Sequence, residues 1–137
     1  MILDRTMLTD SVLIVDDDIE ALGEMVDALQ DYGLEVHAAS NGDTALKLAN
    51  ERRPEFILLD YLLHGTTGLE LASAIRKFLP EVQIILISGY ENLNALLTPL
   101  NVGAVAVLQK PLSIDSIARF IGNKLDNKNQ QLKLLGY

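Results

Sequence analysis

The stretch "SVLIVDDDIEALGEM", Ser11 to Met25, drives four apolar residues into three consecutive aspartates before an amphipathic segment begins. Val12–Val15 has the length and composition of a strand buried on both faces. Asp16, Asp17 and Asp18 repel one another, and each carboxylate costs free energy to desolvate. A compensating group must come from elsewhere in the chain.

Outward from this stretch, short apolar runs alternate with longer amphipathic ones. Ile19, Leu22, Met25, Val26 and Leu29 recur at helical spacing, and Gly33 in "DYG" can supply a left-handed end. "LEVHAA" (34–39) alternates as a half-buried strand. "SNGDTALKLANERRP" (40–54) reads as a turn and a helix with Ala45, Leu46 and Leu48 inward, stopped by proline. Further strands are expected at "FILLD" (56–60), "VQIILIS" (82–88) and "AVAVL" (104–108). The helices between and after them are "GLELASAIRKFLP" (68–80), a weaker "ENLNALLTPLNVG" (91–103), and "SIDSIARFIGNKL" (113–125) capped by Ser113. Right-handed crossovers turn five such strand–helix units into a three-layer α/β sandwich around a parallel sheet. The expected organisation is an N-terminal extension (1–10), one domain (11–125), and a tail or continuation of the last helix (126–137).

Composition narrows the function. The 137 residues are 49% hydrophobic, enough for a core, and contain no cysteine, which excludes disulfides, thiolate metal sites and a cysteine nucleophile. Net charge is −8, with fourteen acidic and four basic side chains in residues 1–60. Direct nucleic-acid binding needs a basic footprint and is not expected. Glu20, Glu24, Asp27, Asp31 and Glu35 read as solvated surface. "MILDRTMLTD" does not resemble a signal peptide, and no apolar run approaches the roughly 18 residues of a membrane span. A cytoplasmic location is expected.

In an open parallel sheet, ligands bind beyond the carboxyl ends of the strands. The first strand ends in Asp16-Asp17-Asp18, the third in Asp60, the fourth in Ser88 and the fifth in "QKP", with Lys110 before Pro111. Core packing has no use for ionic residues at the ends of three apolar strands. Hard carboxylate oxygens suit Mg²⁺, which would offset the repulsion among Asp16, Asp17 and Asp60. One carboxylate could also act as a nucleophile toward phosphorus, with Lys110 and Ser88 on the phosphoryl oxygens.

Together "VLIVDDD", "FILLDYLLHGTTGLEL", "IILISGY" and "LQKPL" resemble the receiver domain of two-component response regulators over roughly residues 11–125. The resemblance implies a chemotaxis-regulator-like, flavodoxin-like (βα)5 fold with strand order 2-1-3-4-5. It implies phosphoryl transfer from a histidine kinase or phosphotransfer protein onto Asp60, with Mg²⁺ as cofactor. Asp17 would hold the metal directly, Asp16 through water, and Leu62 by its backbone carbonyl. Ser88 matches the switch hydroxyl, Lys110 the family's lysine, Pro111 the proline after it, and Gly68 the glycine opening the third helix. Asp18 is expected to cap the first helix. Output would pass through the face of the fourth helix, fifth strand and fifth helix to a downstream protein or a second copy of the chain.

Several positions depart from the family pattern. Leu63 and His64 stand where Met-Pro is usual, and Val107 where many members carry the aromatic ring that follows the switch. Pro99 interrupts the expected fourth helix. Leu62 and Tyr90 occupy the positions that tune phosphoryl lifetime, and their apolar and aromatic character suggests slow autodephosphorylation. His37 and His64 each read as isolated polar surface residues, and Leu93, Leu96, Leu97 and Leu100 as core. The alternatives are weaker. A phosphohydrolase lacks its second acid at Leu62, and a flavin or nucleotide binder lacks a glycine-rich loop after the first strand. A pseudo-receiver scaffold that takes no phosphate would not need the full set of acids and lysine. No effector domain follows residue 125, so the sequence fits a free-standing regulator and an excised receiver alike.

Overall fold

The computed structural model describes residues 8–89, 104–110 and 113–134. Five parallel strands form one sheet: β1 (Thr9–Val15), β2 (Glu35–Ala39), β3 (Pro54–Asp60), β6 (Gln83–Ser88) and β7 (Ala104–Gln109). Their order is β2-β1-β3-β6-β7. This is the flavodoxin-like order expected from the sequence. A small antiparallel hairpin, β4 (Leu62–Leu63) and β5 (Thr66–Thr67), interrupts the numbering. The helices are α1 (Ile19–Asp31), α2 (Gly42–Arg52), α3 (Gly68–Arg76) and α4 (Ile114–Leu134).

The strands are apolar on both faces because both faces are covered. Leu13, Val15, Ile57, Leu59, Ile84 and Leu86 pack with Ala45 and Ala49 of α2 and Leu71, Ala72 and Ile75 of α3. Their neighbours Val12, Ile14, Phe56, Leu58, Ile85 and Ile87 pack with Leu22, Met25 and Leu29 of α1 and Ile117, Ala118, Ile121 and Leu125 of α4. The period-2 alternation of side chains therefore sorts one apolar run into two cores.

Side chains also set the helix starts. Asp18 caps α1, its Oδ1 accepting from the amides of Glu20 and Ala21 at 3.1 and 3.2 Å, as expected. Asn41 caps α2 and Thr67 caps α3 in the same way. At the other end, Gly33 follows α1 with φ +82°.

The last helix continues past Leu125 to Leu134, one of the two outcomes expected for the C-terminal segment. Three details differ from the sequence reading. β1 begins at Thr9, ahead of the expected strand, because the Thr9 amide and hydroxyl are held by the carbonyls at the end of α2. In α2 the fully buried positions are Ala45 and Ala49, with Leu46 and Leu48 packed at the core's edge. The β4–β5 hairpin occupies the stretch between β3 and α3, to which the sequence reading assigned no strand. Tyr90, Leu93, Leu96, Leu97, Pro99, Leu100 and Pro111 lie outside the described residues.

Candidate functional site at the carboxyl edge of the sheet

Strand register assembles the site. Val15 pairs with Leu59 between β1 and β3, so the next residues, Asp16 and Asp60, emerge side by side. Between β6 and β7, Ser88 pairs with Gln109, which sets Lys110 at the same edge. The Lys110 amide donates to the Ser88 carbonyl at 2.7 Å, and the Tyr61 amide to the Ile87 carbonyl at 2.8 Å. These bonds fix the two chain segments that leave the sheet beside Asp60.

Asp16, Asp17 and Asp60 each offer an oxygen, and these oxygens all lie within 4.8 Å of one another. Asp16 is buried, with 5% of its surface exposed. Burial is the main cause that pushes its carboxyl above the ordinary 3.8. The neighbouring Asp60 pushes in the same direction, while the Asp18 amide and Lys110 oppose it. Lys110 Nζ lies 3.4 Å from Asp60 Oδ2, making an ion pair at the mouth of the cluster. One cation beside three carboxylates leaves net negative charge. Three hard oxygen donors with that surplus fit a small divalent cation, which shares its shell with water.

Gly68 shapes the acceptor loop. A Cβ there would stand 2.6 Å from the Asp60 carbonyl oxygen and 3.0 Å from Tyr61 Cα. The Gly68 amide donates to the Tyr61 carbonyl at 2.6 Å. The start of α3 therefore lies directly against the backbone that carries Asp60, and only glycine leaves room.

The remaining candidates are spread around this centre. Ser88 is buried at the end of β6. Val107 pairs with Leu86 and packs against the core shared with α2 and α3. Leu62 is exposed in the hairpin, paired with Thr67. His37 lies on β2, 3.5 Å from Glu35.

His64 is not the isolated residue that its sequence context suggests. Its amide donates to Asp17 Oδ2 at 3.0 Å, and its ring Nδ1 lies 2.5 Å from the same oxygen. Sequence spacing could not reveal this, because 47 residues separate the pair. The usable signal was that His64 follows Asp60 by four positions, in a loop leaving the same sheet edge.

Comparison with known proteins places the chain in a family. The family model of the response regulator receiver domain matches residues 12–121. The nitrogen assimilation regulatory protein NtrX of Azorhizobium caulinodans is 35% identical over 108 residues, covering 77% of this chain and 24% of that protein. The chain thus spans about a quarter of that relative's length. The crystal structure of a CheY-like receiver domain protein from Methanospirillum hungatei JF-1 superposes with a TM-score of 0.78 at 30% identity, covering 91% of this chain and 99% of that one. A response regulator from Burkholderia pseudomallei, crystallised with a phosphorylated aspartic acid, calcium ion and citrate, gives 0.74 at 27% identity, covering 94% and 76%.

Proposed function

The chain belongs to the response regulator receiver domain family, and on that premise we propose that Asp60 accepts a phosphoryl group in a Mg²⁺-dependent reaction. Receiver domains are signalling modules whose general role is phosphorylation-based switching, and they take phosphate from histidine kinases or phosphotransfer proteins. One observation carries the assignment to Asp60. Its carboxylate lies within 4.8 Å of oxygens from Asp16 and Asp17 and pairs with Lys110 at 3.4 Å.

The chemistry follows from that arrangement. A carboxylate oxygen of Asp60 attacks the phosphorus of a phosphohistidine. The O–P bond forms as the P–N bond breaks, and the donor imidazole leaves with the electron pair. Such transfers depend on positioning and on neutralising the phosphoryl oxygens. Asp16, Asp17, Asp60 and the Leu62 carbonyl would hold the cation, which when bound would neutralise charge on the transferring group. Lys110 keeps a point charge beside Asp60 and can follow a phosphoryl oxygen. The Ser88 hydroxyl would donate to a second oxygen. Phosphorylation selects a minor conformation that already exists, and a face that includes β7 and α4 would pass it to a protein partner; the expected fourth helix lies outside the described residues. A second copy of the chain is one such partner. No helix among the described residues is long and apolar enough to cross a membrane. With the acidic balance, this supports a cytoplasmic protein that does not itself contact nucleic acid.

Mass spectrometry after incubation with acetyl phosphate and Mg²⁺ tests the proposal. One added phosphoryl group is expected in the wild type, and none in Asp60→Asn or in EDTA. An unmodified wild type with every donor tried, including a phosphorylated histidine phosphotransfer domain, would refute it and leave a phosphate-independent scaffold.

A further inference from the structure

His64 has no part in the chemistry above, yet it restrains one of the three acids. Asp16 is buried, and Asp60 is paired with Lys110. Asp17 has neither restraint, and its side chain is 22% exposed. Repulsion from Asp16 and Asp60 favours a position farther out in solvent. Among the described residues, only His64 hydrogen-bonds the Asp17 carboxylate. It donates twice to one oxygen, Oδ2, from its amide at 3.0 Å and from ring Nδ1 at 2.5 Å. A carboxylate only accepts, so Nδ1 carries the ring proton.

The loop that carries His64 is closed at its base. Leu62 pairs with Thr67 and Leu63 with Thr66, and Gly65 turns the chain at φ +80°. Thr67 caps α3, and the Thr66 hydroxyl donates to the Glu70 carboxylate at 3.0 Å. The hairpin is thus a short arm rooted beside Asp60 and fastened to α3, and its tip reaches Asp17. The ring is 94% exposed, so its bond to Asp17 and not packing accounts for its place. Proline, the usual residue here in the family, has neither donor.

We infer that His64 is a positioning residue for the cation site, an inference that rests on the reading of Asp16, Asp17 and Asp60 as cation ligands. It acts through Asp17 alone. Its two donors fill Oδ2 and hold Asp17 beside the other acids before a cation arrives, leaving Oδ1 for ligation. Asp17 is then already ordered when Mg²⁺ binds, and the hairpin opposes the repulsion that would turn the side chain away.

Calorimetric titration of the untagged chain with Mg²⁺ tests this in wild type, His64→Ala and His64→Asn. The side-chain nitrogen of asparagine stands as many bonds from the backbone as Nδ1 and keeps a donor there. His64→Ala retains only the backbone donor and is expected to bind Mg²⁺ about ten-fold more weakly. His64→Asn is expected to recover most of that loss. Equal losses in the two variants would mean that the hairpin was disturbed and not the donor, and would overturn the inference. So would a His64→Ala variant that binds as tightly as wild type, or more tightly, the latter marking His64 as a competitor of the ion for Asp17. If wild type binds no Mg²⁺, the cation-site reading has failed and the inference with it. Wild-type binding that is indifferent to His64 defeats the positioning role alone.

Discussion

Replacing Gly68 by alanine is expected to destabilise the protein and to disturb the acceptor loop. The new Cβ would meet the Asp60 carbonyl oxygen at 2.6 Å, Tyr61 Cα at 3.0 Å and Leu86 Cδ2 at 3.2 Å. The first two are backbone atoms, so no side-chain rotation relieves the clash. Either α3 withdraws from the Asp60–Tyr61 segment or that segment bends. Overpacking of this kind costs about 1–3 kcal/mol. Withdrawal also loses the 2.6 Å bond from the Gly68 amide to the Tyr61 carbonyl, worth about 0.5–1.5 kcal/mol. The sum is about 1.5–4.5 kcal/mol, a large share of the roughly 5–15 kcal/mol typical of a domain. At about 4 °C per kcal/mol for a chain of this size, Tm would fall by about 6–18 °C. Gly23 supplies the control. It is exposed in the middle of α1, and a Cβ there meets nothing within 4 Å. Gly23→Ala should therefore stabilise by about 0.5–1 kcal/mol through backbone entropy alone. Urea unfolding followed by circular dichroism, with equal m-values, measures both. A Gly68→Ala loss below about 0.5 kcal/mol, or a Gly23→Ala loss as large as that of Gly68→Ala, would refute the steric argument.

Three further expectations concern the site itself. Asp16 has a raised carboxyl pKa in the fold, so its protonated form is favoured there and its ionisation costs stability. Its contribution is fully present below the ordinary 3.8 and is lost as pH rises through the elevated folded value. In EDTA, Asp16→Asn should therefore gain on wild type as pH rises from 4 toward 7 in urea melts. A constant difference across that range refutes the sign. Lys110→Ala should change folding stability by less than about 1 kcal/mol, because the pair with Asp60 is 3.4 Å long and the lysine is 45% exposed. It should also tighten Mg²⁺ binding by removing a like charge. A loss of several kcal/mol in the same melts, or weaker Mg²⁺ binding, would contradict this. Leu62 is 53% exposed and carries no polar group to orient a hydrolytic water. Leu62→Asn should shorten the phosphoryl half-life by about ten-fold, or about 1.4 kcal/mol of barrier, as followed by mass spectrometry after removal of the donor. An unchanged or longer half-life removes Leu62 from that role.

Most of the sheet was legible because its signal is local and redundant. "VLIV", "FILL" and "IILI" are too apolar for a surface and too short for a membrane, and each ends on a polar or charged residue. Parallel pairing then makes the ends coincide, so Asp16, Asp60, Ser88 and Lys110 could be grouped without coordinates. What escaped was set by contacts between distant residues or by backbone geometry with weak sequence signals. The hairpin "LLHGTT" offers only two residues per strand, and its turn depends on Gly65 at φ +80°. The end of α2 uses Arg53 at φ +49° where glycine would be the ordinary expectation. The start of β1 at Thr9 depends on carbonyls of Arg52 and Arg53. The contact between His64 and Asp17 spans 47 residues, and no periodicity encodes it.

The acidic residues also bear on how the fold finds its register. In a half-exposed sheet, sliding a strand by one residue turns its polar face inward, and the error is penalised along the whole strand. β1 and β3 lack that safeguard in their centres, since Val12 to Val15 and Phe56 to Leu59 are apolar on both faces. A slip there would exchange one buried aliphatic residue for another at modest cost. The cost appears at the ends. Moving β1 inward by one position would carry Asp16 into the layer now filled by Val15, away from the Asp18 amide that its Oδ1 accepts at 3.0 Å. Burying a carboxylate without partners costs several kcal/mol, more than a packing mismatch between aliphatic side chains. Asp60 imposes the same stop on β3, where Leu59 is wholly buried and Lys110 waits at the edge. The charges that a cation would neutralise therefore also fix which residues line up beneath them. Repulsion among the three carboxylates weakens the metal-free protein, but the same charges exclude the misaligned sheets in which no site could form.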